Sequence, residues 1–187
     1  MISYNRGNSC FSHKHFMSYP ADIYFDIETL VNVAQPTSIL VLGDIGVEFL
    51  EEYQQQRSVI SQECTVTHLP SAEISQIEGL LQRFDVGIAA GLFEHLDKHQ
   101  GAQVLSKLRD VLTAQYCVGL PLSTNPDQDG WQLTDLFSYA LKRVNSYAQV
   151  DKEYGLFSYN ISDYKKTPDW LNADNWANPE MWGKYWW

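Results

Sequence analysis

Cysteine is scarce in this chain, and what there is does not pair. Cys10, Cys64 and Cys117 are far apart, odd in number and without a C-x-x-C spacing. That excludes a disulfide framework or a zinc knot built on paired thiols, and it fits a reducing compartment. Basic residues are also few: 13 Lys and Arg stand against 23 Asp and Glu, for a formal charge of −10. Broad nucleic-acid binding depends on clustered cations that displace counterions from phosphates, and here the adjacent basic pairs are Lys142 with Arg143 and Lys165 with Lys166. No apolar run approaches the roughly 20 residues that cross a bilayer. Met1 to Ser12 lacks the charged-then-apolar order of a signal peptide. The reading is a cytoplasmic chain with no membrane contact and no metal centre.

What is present is enough for one α/β domain. The 187 residues suit a single core with terminal extensions. Residues 1–20 are polar and without periodicity, an N-terminal arm; its His13 and His15 form an H-x-H pair with no third ligand in view. Residues 21–165 carry the domain and 166–187 a Trp-rich tail. From Ala21, the recurrence of Ile23, Ile27, Leu30 and Val31 predicts a helix that Pro36 ends. Ile39 to Leu42 predicts a buried strand stopped at Gly43, and Glu48 to Gln56 a helix after it. Cys64 to Leu69 reads as a second strand ended by Pro70. Ser71 to Gln82 reads as a helix capped by Ser71, with Ile74, Ile77, Leu80 and Leu81 on one face. Phe84 to Ala90 is the next strand and Gly91 to Leu96 the turn beyond it. Gly101 to Leu112 has helical spacing, Tyr116 to Leu120 is a strand stopped at Pro121, and Leu133 to Leu141 is a helix starting near Thr134 or Asp135. Arg143 to Gln149 and Gly155 to Ser162 close the domain as an antiparallel pair. The fold class is therefore a doubly wound, mostly parallel sheet with an antiparallel strand at its C-terminal edge.

In open sheets of this kind ligands sit outside the carboxyl ends of the strands. That directs attention to Gly43-Asp44-Ile45-Gly46-Val47 and to Phe84-Asp85-Val86-Gly87-Ile88-Ala89-Ala90-Gly91-Leu92-Phe93-Glu94-His95-Leu96. With the element order, these two stretches resemble the class I S-adenosylmethionine-dependent methyltransferases, a likeness running from about Tyr24 to Tyr164. The resemblance implies a Rossmann-like fold and an S-adenosylmethionine pocket built from Gly43, Asp44, Ile45, Gly46, His68, Ala90, Gly91, Glu94 and His95, closed by the loop from Ser123 to Gly130. It names no catalytic residue, since methyl transfer from a sulfonium needs alignment and dryness more than an acid or base.

The family pattern is broken where it meets the cofactor. An acid usual within the first strand is replaced by Val41. Ile45 and Val47 stand at glycine positions, and the second strand ends in His68 and Leu69 where a carboxylate would hold the ribose. The expectation is a degenerate site; if active, the chain would methylate a small molecule. The alternative is a non-catalytic binding or scaffolding protein that meets a partner, or itself, through the tail, where Trp170, Trp176, Trp182, Trp186 and Trp187 crowd the last 18 residues. The preferred reading of that tail is that it packs on its own domain and buries the indoles there. His95 and His99 at i, i+4 with Glu94 and Asp97 nearby are weighed as a metal face and set aside for want of a further ligand. Asp85 at a strand mouth reads as a partner for backbone donors. A dinucleotide-binding dehydrogenase ranks lower, because its G-x-G-x-x-G is absent.

Overall fold

In the computed structural model, the described residues are 21–123, 130–148, 153–164, 174, 178–181 and 184. All four side chains of the run Ile39 to Leu42 are fully buried, which is the environment of a strand covered on both faces. It forms β1 (Ser38–Leu42), paired in parallel with β2 (Thr65–Leu69) on one side and β3 (Phe84–Ala90) on the other. β4 (Thr113–Leu122) extends the parallel ladder beyond β3. β5 (Lys142–Ala148) and β6 (Glu153–Asn160) complete a six-stranded sheet of order β2-β1-β3-β4-β6-β5. β6 is antiparallel to both neighbours, so the reversed strand lies one place in from the edge and β5 runs with β4.

Alternation along β1 feeds two cores. Ile39 and Val41 join Ile23, Ile27 and Val31 of α1 (Ala21–Ala34) and Tyr53 of α2 (Glu51–Val59). Leu40 and Leu42 turn to the opposite face, where α3 (Lys98–Lys107) supplies Val104 and Leu105 and α4 (Leu133–Ser138) supplies Leu136. The helix over Leu108–Leu112 widens to a π-helical turn before β4. A one-turn helix, α5 (Ile161–Tyr164), follows β6. This is the doubly wound α/β sheet that the alternation of strand and helix signals predicts.

The differences have local causes. Ser71–Gly79 is a 3₁₀ helix; with three residues per turn, Ile74 and Ile77 stack toward the core, while Leu81 lies past the helix end and is 83% exposed. Ser71 is not the cap, because Pro70 holds that place and the Ser71 hydroxyl is turned to Asp44. α3 begins earlier than its apolar spacing suggests, since Asp97 and Gln100 form a reciprocal capping box. β4 runs through Pro121, opposite Tyr154. Its parallel partner ends at the Ala90–Gly119 register, so Pro121 stands where β4 has lost one neighbour, a place that tolerates a missing donor. The N-terminal arm, the interior of the Ser123 to Gly130 loop and the five tail tryptophans lie outside the described residues. Among the described residues, no helix is long and apolar enough to cross a membrane.

Candidate functional site

The carboxyl ends of β1, β2 and β3 meet at Gly43. Its φ of 103° leaves the range of ordinary L-residues. A Cβ there would lie 2.3 Å from the Ala90 carbonyl oxygen and 3.0 Å from both the Gly91 carbonyl carbon and the Leu92 Cβ. The glycine is thus required by the close passage of the chain's own β3 end. The amides of the turn point the same way: Gly43 N–H donates to Leu69 O (2.9 Å), Asp44 N–H to Gly91 O (3.1 Å) and Ile45 N–H to Ala90 O (3.4 Å). Ile45 is fully buried among Ile23, Ile27, Val41 and Leu50. Gly46 is different, for a Cβ there meets only the mobile carboxylate of Glu48.

Side chains then tie the three strand ends together. Asp44 accepts from the Ser71 N–H (3.0 Å) and from its hydroxyl, and His95 Nε2 lies 3.4 Å from Asp44 Oδ2. His68 Nε2 donates to the Gly43 carbonyl (2.8 Å), which fixes the proton on that nitrogen. Partial burial opposes ionisation of Asp44, but the Ser71 hydroxyl and amide, with His95 and His68 nearby, outweigh it and hold the carboxyl below its usual value. Asp44 and His95 remain 46% exposed. Serine, carboxylate and histidine here are not a nucleophile relay, because the carboxylate, not the imidazole, stands beside the hydroxyl.

The structure brings together Gly43, Asp44, Ile45, His68, Ala90, Gly91 and His95. Glu94 is half-buried in the same turn, where His95 N–H donates to Leu92 O (3.0 Å). Ser71 is the member that sequence reasoning missed; its place directly after the second strand, opposite the Asp44 turn, was the available signal. The other polar residues weighed with His95 serve α3: Asp97 caps it, and His99 contacts Gln103 at 3.2 Å. Among the described residues no group of three or more His, Cys, Asp or Glu is placed to hold a metal. At the opposite end of the sheet Asp85 accepts from Thr37 N–H (2.8 Å), Thr37 Oγ1 (2.7 Å) and Ser38 N–H (3.1 Å), a backbone-satisfying role. The base of the Ser123 to Gly130 loop is pinned where Ser123 N–H donates to Trp131 O (2.9 Å). Trp131 is buried edge-on to Phe93 at 5.7 Å.

S-adenosylmethionine, the group that the resemblance implies, calls for open backbone at the glycine turn and for carboxylates in β1 and at the end of β2. Here the amides of Gly43, Asp44 and Ile45 are spent on the chain's own carbonyls, the β1 position is the buried Val41, and the β2 position is His68, already bonded to Gly43. The carboxylate within the cluster, Asp44, is engaged by Ser71 and His95. The residues present do not fit that group in the manner the resemblance implies.

No curated protein matches the chain. Among solved structures it is similar to magnesium protoporphyrin IX methyltransferase from Synechocystis PCC 6803 with bound SAH, at 10% identity and a TM-score of 0.46 over 73% of this chain and 81% of that one. It is also similar to a putative O-methyltransferase from Klebsiella pneumoniae, at 13% identity and a TM-score of 0.45 over 75% and 80% of the two chains. TehB from Haemophilus influenzae gives 8% identity and a TM-score of 0.47 over 74% and 62%. Residues 22–187 match a family described as of unknown function, DUF6231, and the chain belongs to that family.

Proposed function

We propose that this protein, of methyltransferase-like fold, acts by binding and not by methyl transfer. The observation that carries this reading is the closed cluster at the strand ends, where Asp44 joins Ser71 and His95 while the amides of Gly43, Asp44 and Ile45 are taken by Leu69, Gly91 and Ala90. An adenosyl ligand would have to displace hydrogen bonds already made. A bond to a charged group is worth about 1.5–3 kcal/mol, so replacing even one without compensation costs roughly tenfold or more in affinity. The partner is a small molecule or a protein, and the Trp-rich stretch 166–187 is the feature best suited to a protein surface.

Calorimetry and thermal-shift measurement with S-adenosylmethionine and S-adenosylhomocysteine test the proposal. The expected result is neither heat nor a shift at millimolar ligand. Saturable binding would return the chain to the methyltransferase reading. Deletion of 173–187 tests the protein-partner arm: a folded, truncated chain that no longer captures its partner supports it, and a folded chain that still captures it rules residues 173–187 out.

A further inference from the structure

The two edges of the sheet are built differently. β5 carries Lys142 and Arg143, and its register slips between Arg143 and Asn145; charge and a bulge are the usual guards of an exposed edge. β2 has neither. Its sequence Thr65-Val66-Thr67-His68-Leu69 bears no carboxylate, ammonium or proline in a chain of net charge −10, and it pairs with β1 in unbroken register from Thr65 to Leu69. Among the described residues, no segment pairs with its outer side.

We propose that β2 is a self-pairing edge, through which two copies of this chain form a dimer by antiparallel β2–β2 addition. The hydrogen bonds fix which groups are available. Thr65 N–H donates to Thr37 O and Leu69 O accepts from Gly43 N–H, each at 2.9 Å, so Thr65, Thr67 and Leu69 turn their main-chain groups toward β1. Alternation turns those of Val66 and His68 outward. A two-fold axis at Thr67 sets Val66 of each copy opposite His68 of the other, and each pair exchanges both of its bonds, four in all. The strand is complementary to itself in that register. With no carboxylate or ammonium on it, the strand sets no acidic or lysine side chains of the two copies against each other. Further apolar area is at hand. Ahead of β2, Val59 at the end of α2 is 84% exposed and Ile60 after it 57%.

Sedimentation equilibrium on the full chain across a concentration series tests this. The wild type should approach twice the 21.5 kDa chain mass. Thr67→Lys places two ammonium groups face to face at the axis and should give a monomer, as should Thr67→Glu. An equimolar mixture of the two should regain the dimer. Val66→Pro removes an outward donor from each copy and leaves the inward ladder intact, so it should give a monomer with an unchanged circular dichroism spectrum; it decides the matter if the Thr67 variants do not fold. A wild type that stays monomeric overturns the proposal. So does a dimer that survives both Val66→Pro and a folded Thr67→Lys.

Discussion

Alanine at Gly43 is the sharpest probe of how the β1 turn is used. An L-residue held at this left-handed φ costs about 1–2 kcal/mol in backbone strain. The added methyl also falls 2.3 Å from the Ala90 carbonyl oxygen, with Gly91 and Leu92 at 3.0 Å. None of these can rotate away, because the first two are main chain and the third is a Cβ, so the end of β3 must move. Overpacking of that kind costs about 1–3 kcal/mol. Together the loss is about 2–5 kcal/mol, against a total stability of about 5–15 kcal/mol. At about 2–4 °C per kcal/mol for a domain of this size, Tm should fall by about 4–20 °C. Gly46→Ala is the control. Its methyl meets only the free end of Glu48, so the change should stay within about 0.5 kcal/mol or be slightly favourable through the unfolded chain. Urea unfolding of both variants, with m unchanged, measures the difference. If Gly43→Ala costs no more than Gly46→Ala, the turn is not seated against β3 and its glycine is free for some other purpose.

Other groups give independent checks. Asp44 has a folded pKa below its unfolded value of about 4, so its contribution is complete above that value and is lost as pH falls through the folded one. Asp44→Asn should therefore cost about 1 kcal/mol at pH 7, discounted for exposure, and the gap to wild type should close in acid below about pH 4; a gap independent of pH refutes the ionic part of the cluster. At the other end of the sheet the Thr37 hydroxyl leads the groups that lower the Asp85 pKa, against partial burial. Asp85→Ala should cost about 1–2 kcal/mol by urea denaturation, since Thr37 and Ser38 lose their acceptor. Burial pushes the Cys117 thiol up to about 12 and raises Cys64 as well. In a Cys10→Ser background a thiol–disulfide reagent at pH 8 should find no reactive sulfur until denaturant is added.

How far the sequence could be read depended on how local each cause was. The strand at Ile39 to Leu42 and the α1 face of Ile23, Ile27 and Val31 follow from short-range periodicity, and both stand as expected. Ser71–Gly79 was legible as helical but not as 3₁₀, because Leu80 and Leu81 extend the same apolar stripe in sequence and only the sheet decides where the chain leaves it. Pro121 looked like a stop because proline ends most strands, and the place where β3 gives out is not written near it. The substitutions at Val41, Ile45 and His68 were visible from sequence. The cluster that accompanies them was not, because its bonds join residues 25 to 47 positions apart: Gly43 to Leu69 and to His68, Asp44 to Gly91 and to Ser71, Ile45 to Ala90.

Those substitutions are coupled to packing, which is why restoring a ligand site one residue at a time should fail. Ile45 occupies a position where the resemblance implies glycine, and it is fully buried in the cluster that α1 and α2 share with β1. Truncating such a side chain to alanine costs about 2–5 kcal/mol, and glycine adds up to about 1 more. That is a large part of the about 5–15 kcal/mol that holds a typical domain folded. Nor does the deletion free the amides of Gly43 and Asp44, which still face Leu69 and Gly91. Ile45→Gly should therefore lower Tm markedly and yield no calorimetric heat with S-adenosylmethionine. A variant that keeps its stability within about 1 kcal/mol and gains saturable binding would show that Ile45 blocks a site otherwise ready to accept the ligand, and the closed-turn argument would fail.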